Sequence, residues 1–182
     1  GKSTMMLLIQ QELIKQGVDP RHIISINFES LQYGHLRSSR PLYEYVRELM
    51  PSIKGMAYVF FDEIQLVEDW EDAVNSIMLD FSVDMYLTGS NSKLLSSEIS
   101  SLLTGRFIHF TMQVLTYSEM LAFREGFSEA REDLLWLYIR RGGFPAIHLS
   151  PDFDERSSCM VLNSIFDSIV LRDVVQRYKI RD

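Results

Sequence analysis

Met56-Ala57-Tyr58-Val59-Phe60-Phe61-Asp62-Glu63-Ile64-Gln65 is the stretch from which the rest of the chain is read. Six uncharged residues, Met56 to Phe61, run into two adjacent carboxylates. A continuous apolar run rich in aromatics predicts a strand buried on both faces, as in a parallel sheet covered by helices. Side chains alternate along a strand, so Asp62 and Glu63 leave its end in different directions. Open parallel sheets bind ligands at the carboxyl ends of their strands. Two acids at such an end are costly unless a cation or a substrate requires them.

The second signal is Gly1-Lys2-Ser3-Thr4, followed by a helical run. It matches the last half of the phosphate loop G-x-x-x-x-G-K-[ST]. In that loop backbone N–H groups cradle phosphates, the lysine reaches the β- and γ-phosphates and the hydroxyl binds Mg²⁺. Four common residues recur by chance, so G-K-S-T alone is weak. Together with an apolar strand ending in Asp-Glu it becomes a nucleotide-site signal. The chain opens inside this motif. It is therefore expected to be a piece of a longer one, without the strand and first glycine that precede Gly1.

Composition bounds the answer further. The 182 residues are enough for one core plus a small lid, and 46% hydrophobic with 24% charged residues is ordinary for a globular protein. A net charge of −7 argues against a broad electrostatic grip on nucleic acid. The single cysteine, Cys159, rules out an internal disulfide and fits a reducing compartment. No apolar run is long enough to span a membrane as a helix, and the cytoplasm is the expected location.

Working outward, Ser3 to Gln16 reads as a helix whose first half, Met5 to Ile9, is apolar nearly all round and expected to be buried. Its N-terminus carries partial positive charge and favours phosphate. Ile23 to Phe28 reads as a β-branched strand with Glu29 at its end, and Leu31 to Arg40 as a polar loop. Pro41 is expected to open a helix that reaches Met50. After Gln65 a helix with acids in its first turn continues through Val74, Ile77 and Phe81, with Trp70 as a packing anchor. Met85 to Thr88 is the next strand, leaving through Gly89-Ser90-Asn91-Ser92, small polar groups suited to a γ-phosphate or an attacking water. A mixed helix from Leu94 to Leu103 leads to Gly105-Arg106 and a last short strand, Phe107 to Thr111. From Ser118 the period is helical: 118–124, 128–141 closed by Gly142-Gly143, and 154–178, the last roughly 37 Å long. Gly142-Gly143-Phe144-Pro145 reads equally as a hinge or a tight helix connection. The scattered histidines lack metal-site spacing, and Cys159, on an apolar helix face, is expected to be inert.

Gly1-Lys2-Ser3-Thr4, Phe60-Phe61-Asp62-Glu63 and Thr88-Gly89-Ser90-Asn91 resemble Walker A, Walker B and sensor 1 of the P-loop ATPases that carry a catalytic glutamate. Together with Ile64-Gln65, Thr104-Gly105-Arg106 and Gly142-Gly143-Phe144-Pro145, they look like the AAA-type prokaryotic ATPases, in which a conserved domain of unknown function follows the ATPase. The resemblance implies an α/β, three-layer P-loop core over 1–116, with a mostly parallel sheet of order 5-1-4-3-2 lacking its first strand, and an all-helical lid over 117–182. It implies ATP and Mg²⁺ as cofactors, with Gly1, Lys2, Ser3 and Thr4 on phosphate and Ser3 and Asp62 on the metal. Glu63 would polarise the attacking water, Ser90 or Asn91 would sense the γ-phosphate, and Arg106 is a candidate finger in cis or in trans. The 107–111 strand would lack its proper neighbour, and a chain beginning at Gly1 is expected to bind ATP weakly and to invite self-association. The partner implied is a nucleotide; a protein partner, and DNA through a C-terminal part, stay open. The alternative is a nucleotide-gated interaction module with little turnover. A GTPase or kinase fits less well, because neither needs a glutamate after the strand-end aspartate.

Overall fold

In the computed structural model the apolar run is the middle strand of a three-stranded parallel sheet, and the residues described are 1–89, 107–125, 131–148 and 155–169. The strands are β1 (Ile23–Asn27), β2 (Ala57–Asp62) and β3 (Val83–Leu87), in the order β1-β2-β3. Register places Asn27 opposite Asp62 and Phe61 opposite Leu87. Parallel neighbours need a crossover, and α2 (Ser39–Leu49) and α3 (Trp70–Asp80) supply the two.

Alternation along β2 sends Val59 and Phe61 to one face. There they join Ile24, Ile26, Phe28, Leu42, Val46, Trp70, Val74 and Ile77 in one buried cluster. The α3 contributors are spaced at i, i+3, i+4 and i+7 (Trp70, Ala73, Val74, Ile77), which is why one helical stripe meets the sheet. Each fully buried side chain of this size contributes about 1.5–3 kcal/mol. Phe28 and Phe61 meet edge to face at 5.6 Å. Trp70 is a packing anchor, as expected. Ser25 lies between Ile24 and Ile26 and so faces the other way, where Gln10 of α1 (Lys2–Lys15) donates to its hydroxyl at 3.1 Å. Helices therefore lie on both faces of the sheet, and the α/β architecture with a P-loop-like core stands.

Several expectations need correction. The first half of α1 is not buried: Met6 is, but Leu7 and Leu8 are 56% and 53% exposed. A helix meets a three-stranded sheet along one stripe, so an all-round apolar sequence leaves the rest uncovered. Residues 107–111 form no strand, and Ile108 and Phe110 are 80% and 79% exposed. A strand exists through its neighbour's hydrogen bonds, and among the described residues none pairs with this segment. Residues 31–36 are a 3₁₀ turn rather than a loop. Pro41 is the third residue of α2, where its missing N–H is one of the unpaired first four in any case. β3 starts at Val83, two residues before the expected strand, in register with Ala57. Cys159 is exposed rather than packed. The expected 94–103 helix and the helix beyond Ile169 lie outside the described residues.

The chain divides into two compact units, Gly1–Phe110 and Thr111–Asp182. The described elements of the second are all helical: α4 (Tyr117–Phe123), α5 (Arg131–Arg141), a 3₁₀ turn (Pro145–His148) and α6 (Glu155–Ile169). Thr116 caps α4 by accepting the Glu119 N–H at 3.3 Å, and the Glu119 carboxylate accepts the Thr116 N–H at 2.8 Å. That backbone N–H and the Thr116 hydroxyl hold the Glu119 carboxyl below its ordinary value. The Gly142-Gly143 turn is a fastened connection within this unit. The Leu115 N–H donates to the Gly143 carbonyl at 2.8 Å, and the Tyr138 hydroxyl donates to the Leu115 carbonyl at 3.0 Å. A Cβ on Gly143 would lie 1.9 Å from the Leu115 carbonyl oxygen, so only glycine fits. His148 is buried with Nε2 at 2.8 Å from the Gly142 carbonyl oxygen.

Candidate nucleotide site

The carboxyl ends of the three strands bring together residues distant in sequence, such as Asn27 and Asp62, 35 positions apart, and Asp62 and Thr88, 26 apart. Asp62 ends β2 and is only 7% exposed. One of its oxygens accepts the Asn27 amide of β1 at 3.2 Å, and the other accepts the Thr88 hydroxyl just past β3. Both donors are neutral, so the carboxylate is oriented from each side while second lone pairs remain on each oxygen. The same Thr88 hydroxyl accepts the Glu63 backbone N–H at 3.2 Å.

Glu63 leaves β2 in the left-handed region, with φ 58° and ψ 46°. A non-glycine residue there costs on the order of 1–3 kcal/mol and persists where its surroundings hold it. Here the Ile64 N–H donates to the Thr88 carbonyl at 3.0 Å, and Ile64 is fully buried. The Gln65 amide donates to the Glu63 carboxylate.

Lys2, at the start of α1, reaches the same edge. Its Nζ donates to the Gly89 carbonyl at 2.6 Å, one residue past Thr88. The first turn of α1, with Ser3 and Thr4, therefore stands at the carboxyl end of the sheet near the acids' own hydrogen-bond partners. Gly1, Ser3 and Thr4 are exposed there. Ser90, Asn91 and Arg106 lie outside the described residues, so their expected roles gain no geometry. Glu29 is exposed beside the site, with its N–H on the Asn27 side-chain oxygen at 2.8 Å.

Two residues back along the strands, on the face of Asp62 and Thr88, Phe60 and Tyr86 stack at 4.6 Å. The Tyr86 hydroxyl donates to Asp84 at 2.9 Å. Desolvation, then that hydrogen bond and the Asp84 charge, push the phenol up to about 12. A cleft lined by Arg21, Ser25, Tyr45 and Leu49 opens beside β1 and contains none of the predicted site residues.

Sequence does not mark Asn27, Thr88 or Gln65 as site residues. Thr88 and Gln65 sat inside quoted motifs; Asn27 had no local signal and is placed by the register of β1 on β2. Among the described residues no three His, Cys, Asp or Glu side chains gather to hold a metal. A cation at Asp62 would draw on hydroxyl, water and phosphate oxygens instead, a donor set that fits Mg²⁺, which keeps most of its water and takes one or two carboxylates.

An AAA domain family matches residues 1–121. An uncharacterized protein of Haemophilus influenzae is 35% identical over 184 residues, covering 100% of the chain and 45% of that protein. An uncharacterized protein of Methanocaldococcus jannaschii is 39% identical over 140 residues, covering 72% of the chain and 31% of that protein. The chain thus spans less than half the length of the relatives it matches. No solved structure matches at a significant level. Among the described residues no helix is long and apolar enough to cross a membrane. With a lysine at a helix start and an aspartate–glutamate pair meeting at the carboxyl edge of a parallel sheet, and the matching family spanning that whole core, this chain belongs to the AAA domain family, a P-loop ATPase-like fold.

Proposed function

We propose that the full-length protein binds ATP with Mg²⁺ and hydrolyses it by attack of water on the γ-phosphate. The observation that carries this is the Lys2–Gly89 hydrogen bond of 2.6 Å. It brings the lysine to the residue next to Thr88, whose hydroxyl joins Asp62 and Glu63. Lys2 then binds β- and γ-phosphate oxygens, with Gly1 and Thr4 at the helix start contributing backbone and hydroxyl donors. Ser3 and Asp62 would hold Mg²⁺, and a bound ion would supply neutralisation of the negative charge at the phosphates. Glu63 orients the attacking water and draws its proton; Ser90 or Asn91 senses the γ-phosphate, and Arg106 is the candidate finger. Hydrolysis in place of a passive nucleotide switch is supported by the Glu63 carboxylate having its own donor, Gln65, while the Asp62 carboxylate accepts from Asn27 and Thr88.

The test is a calorimetric titration of the full-length protein with ATP and Mg²⁺. Wild type is expected to bind ATP, to prefer it over GTP in competition, and to lose at least about tenfold in affinity on Lys2→Ala. Equal affinity in the Lys2→Ala variant would contradict the placement of phosphate at Lys2.

A further inference from the structure

The part of the site that the motifs leave unexplained is the partner of Glu63. A glutamate that must present one oxygen to water is useful only if its side chain is held, because an untethered three-torsion side chain spends most of its time elsewhere. The backbone of Glu63 is anchored by two contacts to Thr88, through its own N–H at 3.2 Å and through the Ile64 N–H at 3.0 Å. Those contacts do not fix the carboxylate. The residues that follow form a 3₁₀ turn, Ile64–Leu66, closed by Leu66 N–H to the Glu63 carbonyl at 3.0 Å and Val67 N–H to the Ile64 carbonyl at 2.9 Å. The turn roots Ile64 in the core and returns Gln65 to the side of Glu63, where the carboxamide Nε2 donates to Oε2. Both side chains are half-buried, so water competes for this bond only in part.

We propose that Gln65 is the positioning residue of Glu63: its carboxamide clamps one carboxylate oxygen and leaves Oε1 to accept a hydrogen bond from the attacking water. The inference rests on the ATPase reading above. The carboxamide suits the task because it donates without carrying charge. A lysine or arginine in its place would pair with the carboxylate and weaken it as an acceptor for water. A carboxylate at position 65 would repel it. The left-handed backbone of Glu63 has a purpose in this account, since φ 58° is what lets a residue only two positions on fold back to reach the carboxylate.

The experiment compares full-length wild type with Gln65→Ala, Gln65→Glu and Glu63→Gln in steady-state ATP turnover, with a second reading from NMR. Gln65→Ala is expected to lower kcat about tenfold with KM for ATP within about twofold, the signature of an interaction made toward the transition state. Gln65→Glu, which keeps the shape but replaces the donor by an acceptor, should fall at least as far. In the NMR spectrum the Gln65 side-chain amide signals, assigned by their loss in Gln65→Ala, should move upfield in Glu63→Ala as the carboxylate acceptor is removed. If kcat in both Gln65 variants stays within about twofold of wild type, or KM rises in step with the fall, or the amide signals do not move in Glu63→Ala, the clamp is overturned while the ATPase reading survives, provided Glu63→Gln has lost turnover. A wild type without turnover overturns both.

Discussion

The Thr88 hydroxyl donates to the Asp62 carboxylate and at the same time accepts the Glu63 backbone N–H at 3.2 Å. One small side chain just past β3 thus holds both acids at the end of β2. Thr88→Val keeps the shape and removes both bonds, leaving a buried carboxylate oxygen and a backbone N–H short of a partner. Such a loss costs about 1–3 kcal/mol. Urea denaturation is expected to show that decrease in Thr88→Val, and a decrease of less than about 0.5 kcal/mol in Thr88→Ser, which restores the hydroxyl.

Gly143 makes a sharper structural prediction, confined to the helical unit. Its missing Cβ is what admits the Leu115 carbonyl, which would lie 1.9 Å away. Gly142, with φ +70°, has nothing within 4 Å of a built Cβ, so substitution there meets only the left-handed backbone cost. Gly142→Ala should lose about 1–2 kcal/mol. Gly143→Ala should lose more, about 3 kcal/mol, because backbone must shift. Thermal melts of the two variants side by side check the order; equal losses would refute the close approach.

The Tyr86 phenol supplies a pH dependence. Its value in the fold, about 12, lies above the ordinary 10.0 because desolvation and the bond to Asp84 disfavour the phenolate. A group raised on folding contributes stability that is present in full below its unfolded value and is lost as pH climbs through its folded one. Stability should therefore decline between about pH 10 and about pH 12. Tyr86→Phe should flatten this decline and remove one late-ionising tyrosine from the alkaline absorbance titration. A Tyr86→Phe profile identical to wild type would contradict the assignment.

These residues also show what could be read in advance. The central strand was legible because a run that is apolar at every position has no exposed face to offer, and Val59, Phe60 and Phe61 are buried accordingly. That Lys2 belongs at the edge where Asp62 and Glu63 end β2 was legible from the G-K-S-T motif together with strand polarity, and the contact the fold shows there is the one from Lys2 to the Gly89 carbonyl. Asn27 was not legible: its role depends on lying opposite Asp62, and register is a property of two strands, not one. The hydrogen bond from Gln65 to Glu63 depends on a left-handed turn at a glutamate, which carries no glycine or asparagine to announce it. The failed strand at 107–111 has the same cause as the missed Asn27. Phe107-Ile108-His109-Phe110-Thr111 has the composition of a strand, but pairing decides. α1 misled in the other direction, because five consecutive apolar residues look buried whatever the width of the sheet beneath them.

The central claim is that Glu63 acts on the water that attacks a nucleotide held at Lys2 and Asp62. The direct measurement is steady-state ATP hydrolysis by the full-length protein with Mg²⁺, wild type against Glu63→Gln, with ATP affinity determined for both. The account predicts a loss of at least about 100-fold in turnover with ATP affinity within about threefold. Undiminished turnover in Glu63→Gln, or loss of ATP binding in step with turnover, would contradict it.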